Sequence, residues 1–274
     1  MSARDEVSVA ILGAGACGLF LTSELASHRI SCALLDEGFA SSYSSTRNQG
    51  WLQIGSFDAC MGLARVPECQ DGFNYIVEHY PDAVHDSMAT HFLFRFRDQC
   101  DEALWLCRQH EVAVDDLEHG DLEDLIAENP LLIDCEYRYA LRTWDCSIDT
   151  SHILRELARK AMRHGARYYP VSTIQDIQPE RDGNGWRVPL PSGGEISCQA
   201  LVLACGATTP AMAHRLHSTS NAWNPPIYKV AVLVLRDSQK LTTSTLFAPF
   251  ERMSPCISSF WYLHGTTVRS NRLP

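Results

Sequence analysis

Short apolar runs alternate with longer amphipathic segments along this chain, a pattern typical of strands separated by helices. The first apolar run covers Val7–Leu12, the second covers Ala33–Leu35, and a helix-length segment lies between them. The first run leads into a glycine-rich turn, GAGACG at 13–18, and the second run closes on Asp36. This order predicts a β–α–β unit near the start of the sequence.

Each glycine of that turn has its own physical role if the unit binds a dinucleotide. Gly13 permits the tight turn, Gly15 leaves room for a pyrophosphate, and Gly18 lets the helix lie close to the strand. The N–H groups and the dipole at the helix N-terminus favour the negative charge of the pyrophosphate. A carboxylate at Asp36 can accept hydrogen bonds from both ribose hydroxyls and repels a phosphate there, which favours FAD or NAD over NADP.

The amphipathic pattern returns after residue 150 as a helical apolar stripe that Gly165 ends. The stripe consists of Ile153, Leu154, Leu157, Ala158, Ala161 and Met162. Strand-like runs with turn residues between them follow at Tyr168–Ile177, Gly185–Leu190 and Ile196–Ala204. The last run places Gly206 at the C-terminal end of a strand, where ligands bind in open parallel sheets. Another strand is predicted at Ile227–Leu235.

The residues between these two regions have a mainly helical pattern. Phe73–Gln109 is predicted to be mainly helical, and Glu118–Leu132 is predicted to be a helix that the Asn129-Pro130 pair stops. The fold class is therefore α/β: a Rossmann-like nucleotide-binding domain in two pieces, with a helical insertion between them and a small antiparallel sheet. The long insertion argues against a simple NAD-dependent dehydrogenase, in which a third βα unit follows directly.

Composition and charge limit the classes of molecule that the protein is expected to bind. Apolar residues make up 45% of the 274 positions and charged residues 20%, as in globular proteins. The net charge is −10, which argues against nucleic acid, and the basic residues of the 151–166 segment are predicted to form a solvated helix face: Arg155, Arg159, Lys160 and Arg163. The apolar runs are too short for a membrane span, and the polar start MSARDEVS is unlike a signal peptide.

The eleven cysteines stand singly, without a CxxC pair, so no zinc motif is present. An odd number of cysteines without a secretory signal is typical of reduced thiols, and a cytoplasmic location is expected. Cys17, Cys32 and Cys205 fall within predicted core elements, where a cysteine behaves as a small hydrophobic residue.

Four segments, in this order, make the chain resemble the FAD-dependent oxidoreductases of the D-amino-acid oxidase and glycerol-3-phosphate dehydrogenase family. GAGACG with Asp36 is similar to its dinucleotide turn, and SSTRNQGWLQIG at 44–55 resembles the flavin loop of its 2-hydroxyglutarate-oxidising branch. IDTSHILRELARKAMRHGA at 148–166 and LVLACGATTP at 201–210 resemble its second half. The resemblance covers Val7 to about Leu235.

The resemblance implies FAD as the cofactor and a set of residues that bind it. That set comprises Gly13, Ala14, Gly15, Ala16, Cys17, Gly18, Asp36, Glu37, Ser45, Thr46, Arg47, Asn48, Gln49, Gly50, Ile174, Cys205 and Gly206. Arg47 is expected to balance negative charge on a reduced flavin or a substrate carboxylate, and Asn48 to hydrogen-bond ring edges. Ile174 would contribute its strand backbone at the adenine.

The resemblance also implies a division of the chain. Residues 1–75 and 148–215 form the two parts of the FAD-binding domain, 76–147 a mainly helical insertion on the substrate side, and 216–274 a partial substrate domain. Family members are usually longer and carry a second glycine motif, which no segment after Pro210 supplies. The chain is therefore expected to be truncated at its C-terminal end.

The implied activity is oxidation of a C–H bond next to a hydroxyl or amine of a small acid by hydride transfer to flavin. The RNQG segment favours hydroxy acids slightly over amino acids. Two alternatives stay open: a non-catalytic, truncated nucleotide-binding flavoprotein, and an NAD-dependent dehydrogenase. No histidine has a motif that assigns it a catalytic partner, so the catalytic base is unknown and no metal is expected. Tyr228, Lys229, Tyr262 and His264 are weak candidates to face a flavin.

Overall fold

The structure is a computed structural model that describes residues 4–38, 44–48, 50–60, 62–129, 132, 136–171, 176–180, 183–216, 245–248 and 261–263. The predicted Ile227–Leu235 strand lies outside these residues, as do Gln49 and Ile174 from the predicted cofactor set.

Helices and strands alternate along the described chain. The helices are α1 Ala16–Ser27, α2 Ser56–Cys60, α3 Val66–His79, α4 Arg97–Gln109, α5 His119–Glu128, α6 Thr150–Arg163 and α7 Thr209–Leu216. The strands are β1 Arg4–Leu12, β2 Cys32–Asp36, β3 Trp51–Leu52, β4 Val84–Phe94, β5 Asp115–Asp116, β6 Tyr139–Ile148, β7 Arg167–Pro170, β8 Gln178–Pro179, β9 Trp186–Pro189, β10 Glu195–Leu203, β11 Thr245–Ala248 and β12 Trp261–Leu263. Short 3-10 turns lie at Ser44–Thr46, Pro81–Ala83 and Gly206–Thr208.

The described chain divides into two compact units, residues 1–48 with 150–232 and residues 49–149 with 233–274. In the first unit, six strands form one sheet in the order β7-β2-β1-β10-β9-β8. Strands β7, β2, β1 and β10 run parallel to one another. Strands β9 and β8 extend the sheet beyond β10 in antiparallel pairs. This is a mainly parallel sheet with a small antiparallel extension, and the predicted α/β class is confirmed.

The centre of the first sheet is buried on both faces, as parallel sheets require. Ala10, Ile11 and Leu12 are successive residues of β1 whose side chains point to alternate faces, and all three are fully buried. Helices α1 and α6 pack against each other. The buried stripe of α6 contains Ile153, Leu154, Leu157 and Ala161, four of the six positions predicted for it, whereas Met162 is 37% exposed.

The second unit contains a sheet in the order β12-β11-β4-β6-β3, and β5 adds to β6. The expectation of a mainly helical segment over 73–109 was correct for the end of α3 and for α4. It was wrong for β4, which crosses the middle of this segment and pairs antiparallel with β6. Strand β6 was also missed. Its buried face carries Thr143, Asp145 and Ser147, so the apolar alternation that signals a strand is absent.

Candidate functional site

The glycine turn, Asp36 and the Cys205-Gly206 pair lie at the carboxyl ends of strands in the first unit's sheet. Strands β2 and β10 flank β1, and ligands of open parallel sheets bind at the carboxyl ends of the strands. Two backbone hydrogen bonds close this edge: Gly13 N–H donates to Leu35 O, and Ala204 N–H donates to Leu12 O, each at 2.7 Å. The glycine turn therefore leaves β1 between the ends of its two neighbours.

Two positions in the turn accept no side chain. Gly13 has a φ of +108°, and a Cβ there would lie 2.3 Å from Ala204 O. Gly18 lies in α1, and a Cβ there would lie 1.8 Å from Gly13 O, far inside contact distance. The start of α1 can approach the end of β1 because Gly18 has no side chain. Gly15 differs, since its nearest neighbour would be the hydroxyl of Ser45 at 3.1 Å.

Asp36 holds the turn from the neighbouring strand. One carboxylate oxygen accepts a hydrogen bond from Ala14 N–H at 2.6 Å, and the other accepts one from Gly38 N–H at 2.8 Å. Asp36 is half-buried, while the next residue, Glu37, is exposed. An ionised carboxylate has about four acceptor sites, so Asp36 retains acceptor capacity for further donors.

Helix α1 begins at Ala16 with Gly15 as its N-cap, so its first turn has no side-chain cap from the preceding residue. Ser45 supplies one from elsewhere in the chain, because its hydroxyl accepts a hydrogen bond from Ala16 N–H at 3.0 Å. The Cys17 side chain is exposed, which corrects the expectation that this thiol packs in the core. Cys32 is buried as expected, and Cys205 is partly buried.

Local backbone and side-chain contacts order the segment at 44–48. Residues Ser44–Thr46 form a 3-10 turn, and the Asn48 side-chain amide donates a hydrogen bond to Ser45 O at 3.0 Å. The Arg47 side chain is exposed. The structure thus brings Ser45 to the N-terminus of α1 and leaves the Arg47 side chain at the surface.

Gly50 belongs to the second unit, where its backbone conformation and close contacts explain why a glycine is present. Its φ is +65°, a Cβ there would lie 2.8 Å from Ile148 O, and Gly50 O accepts a hydrogen bond from Ile148 N–H at 2.8 Å. This glycine leads into β3 beside β6.

Cys205 and Gly206 follow β10 at the same edge as the glycine turn. The Cys205 thiol donates a hydrogen bond to Leu12 O at 3.3 Å. Burial and the nearby carboxylates of Asp36 and Glu37 raise the pKa of this thiol, so it stays protonated at neutral pH. Gly206 is exposed and opens a 3-10 turn with a φ of +57°.

Among the buried polar residues of the second unit are two, His91 and Asp145, that the sequence analysis did not single out. His91 on β4 is 7% exposed and lies opposite Arg142 in the strand register. Burial, and secondarily the Arg142 charge, lower the pKa of His91 to about 4. Asp145 on β6 is 1% exposed and accepts hydrogen bonds from Ile54 N–H at 2.9 Å and from the Ser56 hydroxyl at 3.1 Å. Burial raises the pKa of Asp145, against the opposing effect of these donors.

Comparison with known families identifies the chain. The family model described as "DAO: FAD dependent oxidoreductase" matches residues 8–266. The chain belongs to this family of FAD-dependent oxidoreductases, and FAD is the cofactor of the family. No curated protein matched the chain in sequence.

Solved structures show the same fold at low sequence identity. Glycine oxidase from Geobacillus kaustophilus superposes with a TM-score of 0.64 at 20% identity, covering 89% of this chain and 66% of that one. L-alpha-glycerophosphate oxidase from Mycoplasma pneumoniae, a structure with FAD bound, gives 0.63 at 15% identity, covering 77% and 57%. L-proline dehydrogenase from P. horikoshii gives 0.62 at 13% identity, covering 90% and 65%. The chain therefore spans less than two thirds of each of these proteins.

Within the described part of the chain, no helix is long and apolar enough to cross a membrane, and no group of three or more His, Cys, Asp and Glu side chains is suited to hold a metal ion.

Proposed function

We propose that this protein is an FAD-dependent oxidoreductase that oxidises a C–H bond next to a hydroxyl or amine of a small acid, with hydride transfer to the flavin. The main support for the proposal is that three features lie together at one edge of the sheet. These are a turn that excludes side chains at Gly13 and Gly18, a helix N-terminus directly after it, and the carboxylate of Asp36 beside it. Together they offer a dinucleotide a close approach, N–H donors and a ribose acceptor.

Each group has a proposed role toward the ADP half of the cofactor. Asp36 accepts hydrogen bonds from the ribose hydroxyls with the acceptor capacity that Ala14 and Gly38 leave free. The N–H groups of Cys17 and Gly18 in the first turn of α1 face the pyrophosphate, and Gly15 keeps the approach open. Ser45 fixes the Ala16 N–H and thereby the direction of this first turn.

When bound, FAD would supply the two-electron acceptor for hydride. The proposed task of Arg47 is to place positive charge next to negative charge that develops on reduction or is carried by a substrate carboxylate. Asn48, whose amide also donates to Ser45 O, would keep this loop in position. Thr46, Gln49, Gly50, Ile174, Cys205 and Gly206 remain predicted cofactor neighbours.

The substrate class is proposed from chemistry shared by the similar structures. Their names specify glycine, L-proline, L-amino acids and glycerophosphate, each a small molecule with an anionic group and a C–H bond beside an amine or a hydroxyl. The RNQG segment at 47–50 favours a 2-hydroxy acid within this class.

A visible absorption spectrum of the purified chain, recorded before and after addition of FAD and desalting, tests the proposal. A retained flavin band supports it, and bleaching of this band by a hydroxy acid or an amino acid under anaerobic conditions identifies the substrate class. A protein that stays colourless but binds ADP supports the alternative, a nucleotide-binding protein without catalysis. A nicotinamide cofactor that binds in place of FAD supports the dehydrogenase alternative.

The role of Arg47 is tested by flavin reduction in the Arg47→Ala protein. We expect slower reduction with the flavin band retained. Arg163→Ala, at an exposed arginine of α6, is the matched control and should reduce at the wild-type rate. Equal rates in both variants would exclude Arg47 from this role.

A further inference from the structure

Two cysteine thiols of the second unit lie against each other. Cys60 is the last residue of α2, Cys107 lies in the last turns of α4, and their Sγ atoms are 3.6 Å apart and hydrogen-bonded. A disulfide requires about 2.05 Å between the sulfur atoms. The two thiols therefore need a closure of roughly 1.5 Å to bond, which side-chain rotation and a small shift of the short helix α2 can provide.

The surroundings of the pair favour a bond within it over reaction with other thiols. Cys107 is fully buried and Cys60 is partly buried, and both pack in a cluster with Ala59, Val66 and Val112. The thiol–thiol hydrogen bond, followed by burial, raises the pKa of Cys60, and the same hydrogen bond lowers the pKa of Cys107. Cys60 is the more exposed of the two thiols, so a peroxide from solvent reaches the pair on the Cys60 side.

We propose that Cys60 and Cys107 form an oxidation site at which a hydroperoxide closes a reversible disulfide between α2 and α4. One thiol of the pair, as its thiolate, attacks one peroxide oxygen, the O–O bond breaks, and the leaving oxygen departs as water after taking up a proton. The sulfenic acid formed in this step is then attacked by the other thiol, which loses its proton as the S–S bond forms and the second oxygen leaves as water. Two thiols are oxidised, one hydrogen peroxide is reduced, and two waters are released.

The disulfide would fix a segment that is already anchored on its other side. Ile54 and Ser56, just before and at the start of α2, bind the buried carboxylate of Asp145. A covalent bond at Cys60 would then hold α2 at both ends, to β6 through Asp145 and to α4 through Cys107. The bond also closes a long loop between residues 60 and 107, which raises stability by restricting the unfolded chain.

The experiment uses the full chain, reduced, freed of reductant, and treated with hydrogen peroxide. Thiols are then alkylated under denaturing conditions, and non-reduced peptides are analysed by mass spectrometry. Trypsin leaves Cys60 alone in peptide 48–65, but leaves Cys100 and Cys107 together in peptide 98–108. Additional cleavage after Glu102 separates these two cysteines, so the partner of Cys60 is read directly.

We expect the main cross-link to join 48–65 with 103–108, to disappear on addition of a thiol reductant, and to raise the melting temperature of the oxidised protein. Cys60→Ser should abolish both the cross-link and the increase. Cys17→Ser, at the exposed cysteine of α1, is the matched control and should retain both. The proposal is overturned if Cys60 is recovered alkylated while Cys17 is oxidised, if it links to Cys100, or if the cross-link forms with no change in melting temperature. Because the wild-type peptides decide the outcome, a variant that folds poorly does not obscure it.

Discussion

Asp36 at the end of β2 accepts a hydrogen bond from the backbone N–H of Ala14, the residue that follows the first glycine of the turn, at 2.6 Å. This contact joins two neighbouring strands at their carboxyl ends, beyond the last strand-pairing hydrogen bonds. It also leaves the carboxylate beside the start of α1, at the edge where the proposed nucleotide binds. One side chain thus has both a structural partner and a proposed ligand.

Asp36→Ala should weaken FAD binding by at least about tenfold, because the ribose loses a charged acceptor. Asp36→Asn, which keeps one acceptor oxygen and the shape, should lie between this variant and wild type. Flavin fluorescence titration measures the affinities. Melting temperatures without FAD separate the ligand contribution from the loss of the Ala14 and Gly38 hydrogen bonds, and equal FAD affinities in all three proteins would remove Asp36 from the binding site.

Gly18→Ala should destabilise the protein by about 2 kcal/mol or more, because the added methyl group would lie 1.8 Å from Gly13 O and must push α1 away from β1. Gly72→Ala is the matched control in α3, since a Cβ there meets nothing within 4 Å. This control should raise the free energy of unfolding by roughly 0.5–1 kcal/mol through helix propensity. Urea denaturation measures both, and a tolerated alanine at position 18 would contradict the close approach.

Asp145→Ala should lower the free energy of unfolding by about 3 kcal/mol, because the Ile54 N–H and the Ser56 hydroxyl lose a buried acceptor. Ser56→Ala removes one donor and leaves the carboxylate with its other partners, so a smaller loss of about 1 kcal/mol is expected. Chemical denaturation of the three proteins at one pH gives the comparison. A Ser56→Ala loss as large as that of Asp145→Ala would show that the carboxylate does not organise this cluster.

The His91 imidazole should make stability depend on pH in acid. Its pKa is about 4 in the folded protein and about 6.5 in the unfolded chain, so the unfolded state takes up a proton first as the pH falls. The free energy of unfolding should therefore decline between pH 6.5 and pH 4, by roughly 3 kcal/mol relative to His91→Gln. Other titrating groups are shared by the two proteins and cancel in this difference. His79→Gln, at an exposed histidine, should follow the wild-type profile, and parallel profiles for wild type and His91→Gln would refute the prediction.

The sequence predicted the nucleotide-binding half of the fold well because its signals are local. The apolar runs of β1 and β2, the glycine turn and the acid at Asp36 lie within one short stretch, and each residue type has a physical reason to be there. The helix α6 was equally clear, since its apolar stripe is regular and Gly165 follows it. In the same way, α5 ends at Glu128, directly before Asn129-Pro130.

The second unit was less predictable because its central strands bury polar side chains. Thr90 and His91 on β4, and Thr143 and Asp145 on β6, are buried but are not apolar. Their burial depends on partners far along the chain, such as Ile54 and Ser56 for Asp145, and no local pattern reveals these partners. Similarly, the Ser45 hydroxyl reaches the N-terminus of α1 through the path of the intervening loop, which spacing alone does not specify.

The order of strands in both sheets has a consequence for synthesis of the protein. Strand β1 lies between β2 and β10, so the centre of the first sheet keeps one edge unpaired until the ribosome has delivered residues near 203. Strand β4 likewise waits for β11, which pairs with it in parallel after residue 244. A nascent chain released early would expose two unpaired strand edges together, which is the condition under which chains aggregate or require chaperones.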